Sequence, residues 1–333
     1  MTKPKWVMVC DESGAKGFSD KPATNNEQIG VVAGLLLTSK AYDALSDVLP
    51  TIKSKYQPSD GSKLHIADLD KKKQDAIRDE VFELIKGSGG HIIYEAITQS
   101  DAHKSYTLQQ KYWDKLKNEG KIRGYGYNFS DHKKRLHEIL FHGCFNRAID
   151  YIEAENPTSY TFSLDMLTDT IDEPIIGEIK SSIGRFLTFD LAQKREIKAE
   201  RYNYKTKSVE KLSGTTEYEV KTPEGVKIID LSGIDFDIRI DNTCDLIADI
   251  ISNSVLYYLT AAFEKNESIR LGSQEAIDAH PLSDQFVSLT AEGDLDMAQK
   301  LNTFPISEDE INSDSTPQPS NFAKNFTFTK DKE

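Results

Sequence analysis

The stretch Trp6-Val7-Met8-Val9-Cys10-Asp11-Glu12-Ser13-Gly14 decides the fold. A short, continuous apolar run rich in Val, with no polar residue on alternate positions, is the pattern of a strand buried on both faces. Such strands belong to α/β domains, in which helices cover both sides of a sheet. The run stops at a carboxylate, so a core strand delivers Asp11 at its end. Residues 15–28 are rich in Gly, Ser, Asn, Lys and Asp and read as a long loop. Residues 29–38 are a second apolar strand, giving a hairpin-like pair with a long connection.

Outward from this pair the pattern alternates. Residues 41–55 and 71–86 have helical apolar spacing, the second closed by Gly87-Ser88-Gly89-Gly90, and residues 91–98 are a third strand. Helices over 105–118 and 131–155 follow. In residues 160–167, Tyr160, Phe162 and Leu164 alternate with Thr161, Ser163 and Asp165, a fourth strand. Asp172 and Pro174 open a helix running to about residue 193. Residues 194–230 turn polar, with a hairpin signal at Thr222-Pro223-Glu224-Gly225, and read as an insertion. A fifth strand alternates Ile234, Phe236, Ile238 and Ile240 with Asp235, Asp237, Arg239 and Asp241, and a helix over about 243–263 ends the pattern. The reading is one α/β domain, 1–263, with a mixed five-stranded sheet and a β-hairpin insertion. An acidic extension, 264–333, follows, polar beyond Pro305 and expected to be partly disordered.

The chain has 333 residues, with 41 Lys and Arg against 54 Asp and Glu, a formal net charge of −13. That excludes a generally basic nucleic-acid binder, though local basic patches remain open. Cys10, Cys144 and Cys244 match no metal or redox spacing and read as reduced thiols. The longest apolar stretch, 246–263, is interrupted by Asp249, Ser252, Asn253 and Ser254, so it reads as a buried helix rather than a membrane span. The expectation is a cytoplasmic protein without membrane contact.

Three acids fall where chemistry could gather: Asp11 ending the first strand, Asp165 in the fourth, and Asp245 in the first turn of the last helix. Mg²⁺ and Mn²⁺ take hard oxygen ligands, and a pair of such ions needs carboxylates drawn from separate elements. Asp249 lies one helical turn after Asp245 on the same face and, on an otherwise apolar helix, requires a partner. Each acid also has a plain reading. Asp11 suits a turn, Asp165 an exposed strand position, Asp245 the positive end of a helix macrodipole, and Asp249 a buried pair with Lys or Arg.

With Asp11-Glu12-Ser13-Gly14 after a Val-rich strand, Lys63-Leu64-His65 before a helix, and Asp245-Leu246-Ile247-Ala248 opening the last helix, the chain resembles the bacterial family called "domain of unknown function 3800". The resemblance spans about residues 5–263. It departs at Lys63, where members often have an acid, and at Asn242-Thr243-Cys244, where they often have Gln-Leu-Ala. The resemblance implies a ribonuclease H-like fold, often encoded among mobile-element and phage-defence genes. It also implies that Asp11, Asp165 and Asp245 bind metal, with Glu12 and His65 nearby.

The expected activity is therefore a Mg²⁺- or Mn²⁺-dependent nuclease cutting DNA or RNA by a two-metal mechanism, with Asp249, Glu12 or His65 assisting. Lys121, Arg123, Lys133, Lys134 and Arg135, interleaved with Tyr125, Tyr127 and Phe129, are the expected substrate contacts, since cations with aromatics suit phosphate and base stacking. A solvated charged face is the plain alternative for that stretch. The competing reading is a non-catalytic ribonuclease H-like interaction subunit in a multi-protein defence complex, and a third is an enzyme acting on small phosphorylated nucleotides.

Overall fold

The apolar run 6–10 does form a central strand. β1 (Lys5–Gly14) pairs antiparallel with β2 (Ile29–Thr38), Trp6 opposite Thr38 and Gly14 opposite Gly30, as the hairpin-like reading requires. β2 is buried along its whole length except Thr38, so its ladder lies at the centre of the molecule. The computed structural model describes residues 3–17, 28–57, 64–118, 136–155, 161–169, 176–184 without 178 and 182, 192–203, 207–219, 233–287 and 326–330. They divide into two units, residues 1–184 with 233–307 and residues 185–232 with 308–333.

In the first unit β3 (His91–Thr98) pairs antiparallel with β2, β4 (Ser163–Thr168) pairs parallel with β1, and β7 (Asp235–Ile240) pairs parallel with β4. The order β3-β2-β1-β4-β7 makes an α/β architecture, a mixed five-stranded sheet flanked by helices. Strand periodicity assigns the two faces. Val7 and Val9 join one apolar cluster with Leu45 and Leu49 of α1 (Ser39–Tyr56), Ile77 and Val81 of α2 (Lys71–Ser88), and Ile247 and Ile250 of α5 (Asp245–Lys265). Met8 and Cys10 face the other way, toward α4 (Leu136–Glu155), whose Cys144 thiol donates to Val32 O at 3.2 Å. α3 (Gln99–Asn118) follows β3 directly.

The helix boundaries follow from capping. Thr38 Oγ1 accepts from Ala41 N at 3.3 Å and Asp70 Oδ1 from Lys73 N at 3.0 Å, each satisfying a free N–H of the first turn. α2 stops at Gly89, whose φ of 66° is the left-handed conformation that ends helices. α5 is long and apolar enough to cross a membrane by composition alone, yet Leu246, Ile247, Ile250, Ile251, Val255 and Leu259 pack into the sheet core. α4 is pinned to β3 by an ion pair between Arg147 Nε and the Glu95 carboxylate, both side chains largely buried. Gly143 makes room for it, because a Cβ there would fall 2.7 Å from Glu95 Cδ.

This unit does not stop at residue 263. Leu271, Ala276 and Ile277 of α6 (Gln274–Ile277) and its approach are buried, as are Leu282 and Phe286. Tyr94 donates to Leu271 O at 2.8 Å, and Val287 N donates to Ile92 O at 3.0 Å, covering part of the β3 edge.

The second unit is an antiparallel sheet ordered β5-β6-β8, with β5 (Ala192–Asn203), β6 (Ser208–Glu219) and β8 (Phe326–Lys330). The polar insertion contains a hairpin joining β5 and β6 between Asn203 and Ser208, with Lys207 at φ 53°, and the expected turn at 222–225 lies outside the described residues. The expected helix to residue 193 is shorter, since Ala192–Asn203 is strand. The extension beyond 305, expected to lack structure, contributes β8.

Candidate functional site

The carboxyl ends of β1, β4 and β7 point the same way, because the three strands are parallel. The chain leaves β1 toward β2 and β4 toward β7, so the sheet has its topological switch point between β1 and β4. Open α/β sheets bind ligands in the crevice outside that point. Cys10 lies opposite Thr168, and Thr168 opposite Ile240. One residue past that paired level the sequence has Asp11 in β1, Asp169 after β4 and Asp241 after β7, a row by register, and Asp241 N donates to Thr168 O at 3.0 Å.

Asp11 is turned into this crevice. Its Oδ1 accepts from Glu12 N at 2.8 Å, and that N–H is outside the β1–β2 ladder, on the side where β1 overhangs the end of β4. Asp241 ends the row in a tight turn, with Oδ1 accepting from Thr243 N at 2.8 Å. Burial pushes the Asp241 carboxyl up, but hydrogen bonds from Thr243 and Tyr42 and the Arg239 charge outweigh it and hold it below the usual carboxylate value. It therefore stays ionised.

The other expected ligands are engaged in bonds of their own. Asp165 lies opposite Val7, four residues before the level of Asp11, roughly 13 Å along the strand. It belongs to an ion-pair chain across three strands, 3.3 Å from Lys5 Nζ and 3.4 Å from Arg239 Nη2. Asp245 pairs with Lys53, and its Oδ1 also accepts from Leu246 N at 2.7 Å, in keeping with a carboxylate at a helix N-terminus. Asp11, Asp165 and Asp245 are thus not brought together as a ligand triad.

Asp249 has partners of the kind that the sequence demanded. Its Oδ2 accepts from Ile66 N at 2.9 Å and its Oδ1 from Asn253 Nδ2 at 2.7 Å, tying α5 to the turn Ile66–Asp68. His65 precedes that turn with an exposed side chain, linked to Asp249 through the adjoining backbone. Glu12 faces α4, on the opposite side of the sheet from Asp11, and burial raises its pKa while Lys16 opposes the rise. Lys121, Arg123, Lys133, Lys134 and Arg135 lie outside the described residues.

Among the described residues no three His, Cys, Asp or Glu side chains are gathered closely enough to form a ready metal cage. Mg²⁺ does not require one, since it commonly keeps several waters and takes one or two protein carboxylates plus substrate oxygens. Asp11 and Asp169, each one residue past the paired Cys10 and Thr168, fit that smaller donor set. Sequence reasoning put Asp241 on a polar strand face and gave Asp169 no role in the site. The available signal was an acid immediately after a parallel strand, rather than one inside it.

Compared with models of known protein families, with curated proteins and with solved structures, the chain finds no match in any of the three.

Proposed function

We propose that the chain is a divalent-cation-dependent nuclease with a ribonuclease H-like domain, hydrolysing phosphodiester bonds of DNA or RNA at the crevice between β1 and β4. The observation that carries this reading is the shared level of Cys10, Thr168 and Ile240 on three adjacent parallel strands, each followed in sequence by an acid, Asp11, Asp169 and Asp241. The mixed sheet, with its antiparallel strands β1, β2 and β3 preceding two parallel additions, supports the resemblance to ribonuclease H-like proteins.

Asp11 and Asp169 are the residues that would hold Mg²⁺ or Mn²⁺, with Asp241 alongside. When bound, such a cation makes a nucleophile from water at neutral pH and offsets charge on the phosphodiester. The chain's own part is orientation. The Glu12 N–H fixes the Asp11 carboxylate, and the Thr243 N–H keeps Asp241 turned back toward its loop. Lys111 and Lys115 of α3 begin the basic, aromatic stretch that would contact the phosphate backbone. Asp165, held by Lys5 and Arg239, is assigned to the architecture.

The engagement of Asp165, Asp245 and Asp249 in internal bonds favours a second reading, the non-catalytic interaction subunit of a defence complex. Thermal melting with and without Mn²⁺ separates the two. A row of carboxylates that binds the ion raises the melting temperature, by about 2.7 kcal/mol of stabilisation at a hundredfold excess over Kd. No shift at millimolar Mn²⁺ or Mg²⁺ supports the interaction subunit instead.

A further inference from the structure

The last member of the row depends on where the connection between β7 and α5, residues 241–244, is held, and one stripe of α1 holds it. Tyr42, Ser46 and Lys53 lie four and seven residues apart, within roughly 40° of one another around the helix. Tyr42 is among the groups that hold the Asp241 carboxyl below its usual value. Ser46 Oγ is 3.6 Å from Cys244 Sγ. Lys53 Nζ donates to Asn242 O at 2.9 Å, to Thr243 O at 3.4 Å and to the Asp245 carboxylate. One ammonium therefore gathers two carbonyls and a carboxylate of the same short connection. α1 is itself fixed, since Leu45, Leu49 and Ile52 are buried in the core.

A lysine beside a helix N-terminus meets the positive end of the macrodipole, so the site is unfavourable for it without compensation. The compensation comes from the three oxygens, and Asp245 supplies the countercharge with an 11% exposed side chain. This accounts for Asp245 without assigning it a ligand's role.

We propose that Lys53 and Tyr42 are positioning residues, through which α1 fixes the 241–244 connection and so sets Asp241 in the row beside Asp169. The inference rests on the proposed cation site. Partners that orient metal ligands typically change metal affinity by 10- to 100-fold when removed. Lys53→Met loses all three donated bonds, the one to Asp245 included, whereas Lys53→Arg retains the charge and donors. Tyr42→Phe removes a single hydroxyl and leaves the core face of α1 intact.

The test is Mn²⁺ titration by calorimetry on the full chain and these variants, with amide hydrogen exchange at Thr243, whose N–H is bonded to Asp241. The expected result is Mn²⁺ affinity about tenfold weaker in Lys53→Met, severalfold weaker in Tyr42→Phe, and near wild type in Lys53→Arg. Thr243 exchange should accelerate in the first two. Folded Lys53→Met and Tyr42→Phe proteins with wild-type Mn²⁺ affinity and Thr243 protection overturn the inference. A wild-type chain that binds no Mn²⁺, while Thr243 protection still falls in Lys53→Met, overturns the cation site and with it the role of the clamp in metal binding.

Discussion

Acid should destabilise the first unit through His280 by an amount that the structure fixes. His280 is 2% exposed, with the rings of Phe82, Tyr258 and Phe286 around it at centroid distances of 5.5, 4.9 and 5.1 Å. Leu282 N donates to Nδ1 at 3.0 Å, so that nitrogen accepts. Ser254 Oγ donates to Ile251 O at 2.9 Å and is left to accept from Nε2, also at 2.9 Å. The site is built for the neutral ring. A second proton would put an N–H at Nδ1 against the Leu282 N–H. Burial lowers the pKa from 6.5 to about 4. Because the folded value lies below the unfolded one, the unfolded chain binds the proton first. The stabilising contribution is complete above the unfolded pKa and is lost as pH falls toward the folded pKa. Between about pH 8 and about pH 4.5 the loss is about 2.5 kcal/mol. Urea unfolding at both pH values, for wild type and His280→Gln, isolates this from the carboxylates that titrate in both proteins. The variant should lose about 2 kcal/mol less than wild type on acidification. Equal losses, or a folded-state NMR titration of the His280 ring near its ordinary value, refute the reasoning.

Three further outcomes follow from contacts in the same unit. Asp249→Ala should cost about 2 kcal/mol and speed amide exchange at Ile66, because it removes the carboxylate that accepts that N–H; unchanged exchange contradicts it. Arg147→Met leaves Glu95 buried and unpaired and should cost about 3–5 kcal/mol in urea unfolding, with Glu95→Leu added to it recovering much of the loss. Gly143→Ala should cost about 1–3 kcal/mol in the same measurement, because its methyl group meets Glu95 Cδ.

How much of this was legible in the sequence depends on whether a feature is local. The run 6–10 and the stretch 29–38 predict strands because burial on both faces needs unbroken apolar sequence, and both strands are found there. The buried character of the last helix was legible from its polar interruptions, and Asp249 accepts from a backbone N–H and from Asn253. The site was less legible. Asp165 has strand-like alternation and is in β4, but its level relative to Asp11 depends on register between strands more than 150 residues apart in sequence. A parallel register is set by packing over the whole sheet, and no local pattern encodes it. The same applies to Asp169 and Asp241, which follow β4 and β7 where those two strands end level with Cys10 of β1. Nothing in the local sequence marks Lys53, whose partners at 242–245 lie far along the chain.

The most direct measurement of the central claim is cleavage of labelled single- and double-stranded DNA and RNA in Mg²⁺, Mn²⁺ or EDTA by wild type, Asp11→Asn, Asp169→Asn and Asp165→Asn. The row of strand-end carboxylates predicts metal-dependent cutting that is abolished in Asp11→Asn and Asp169→Asn and retained in a folded Asp165→Asn. Cutting lost with Asp165→Asn but kept with Asp169→Asn, or no cutting of any substrate by folded wild type, contradicts it.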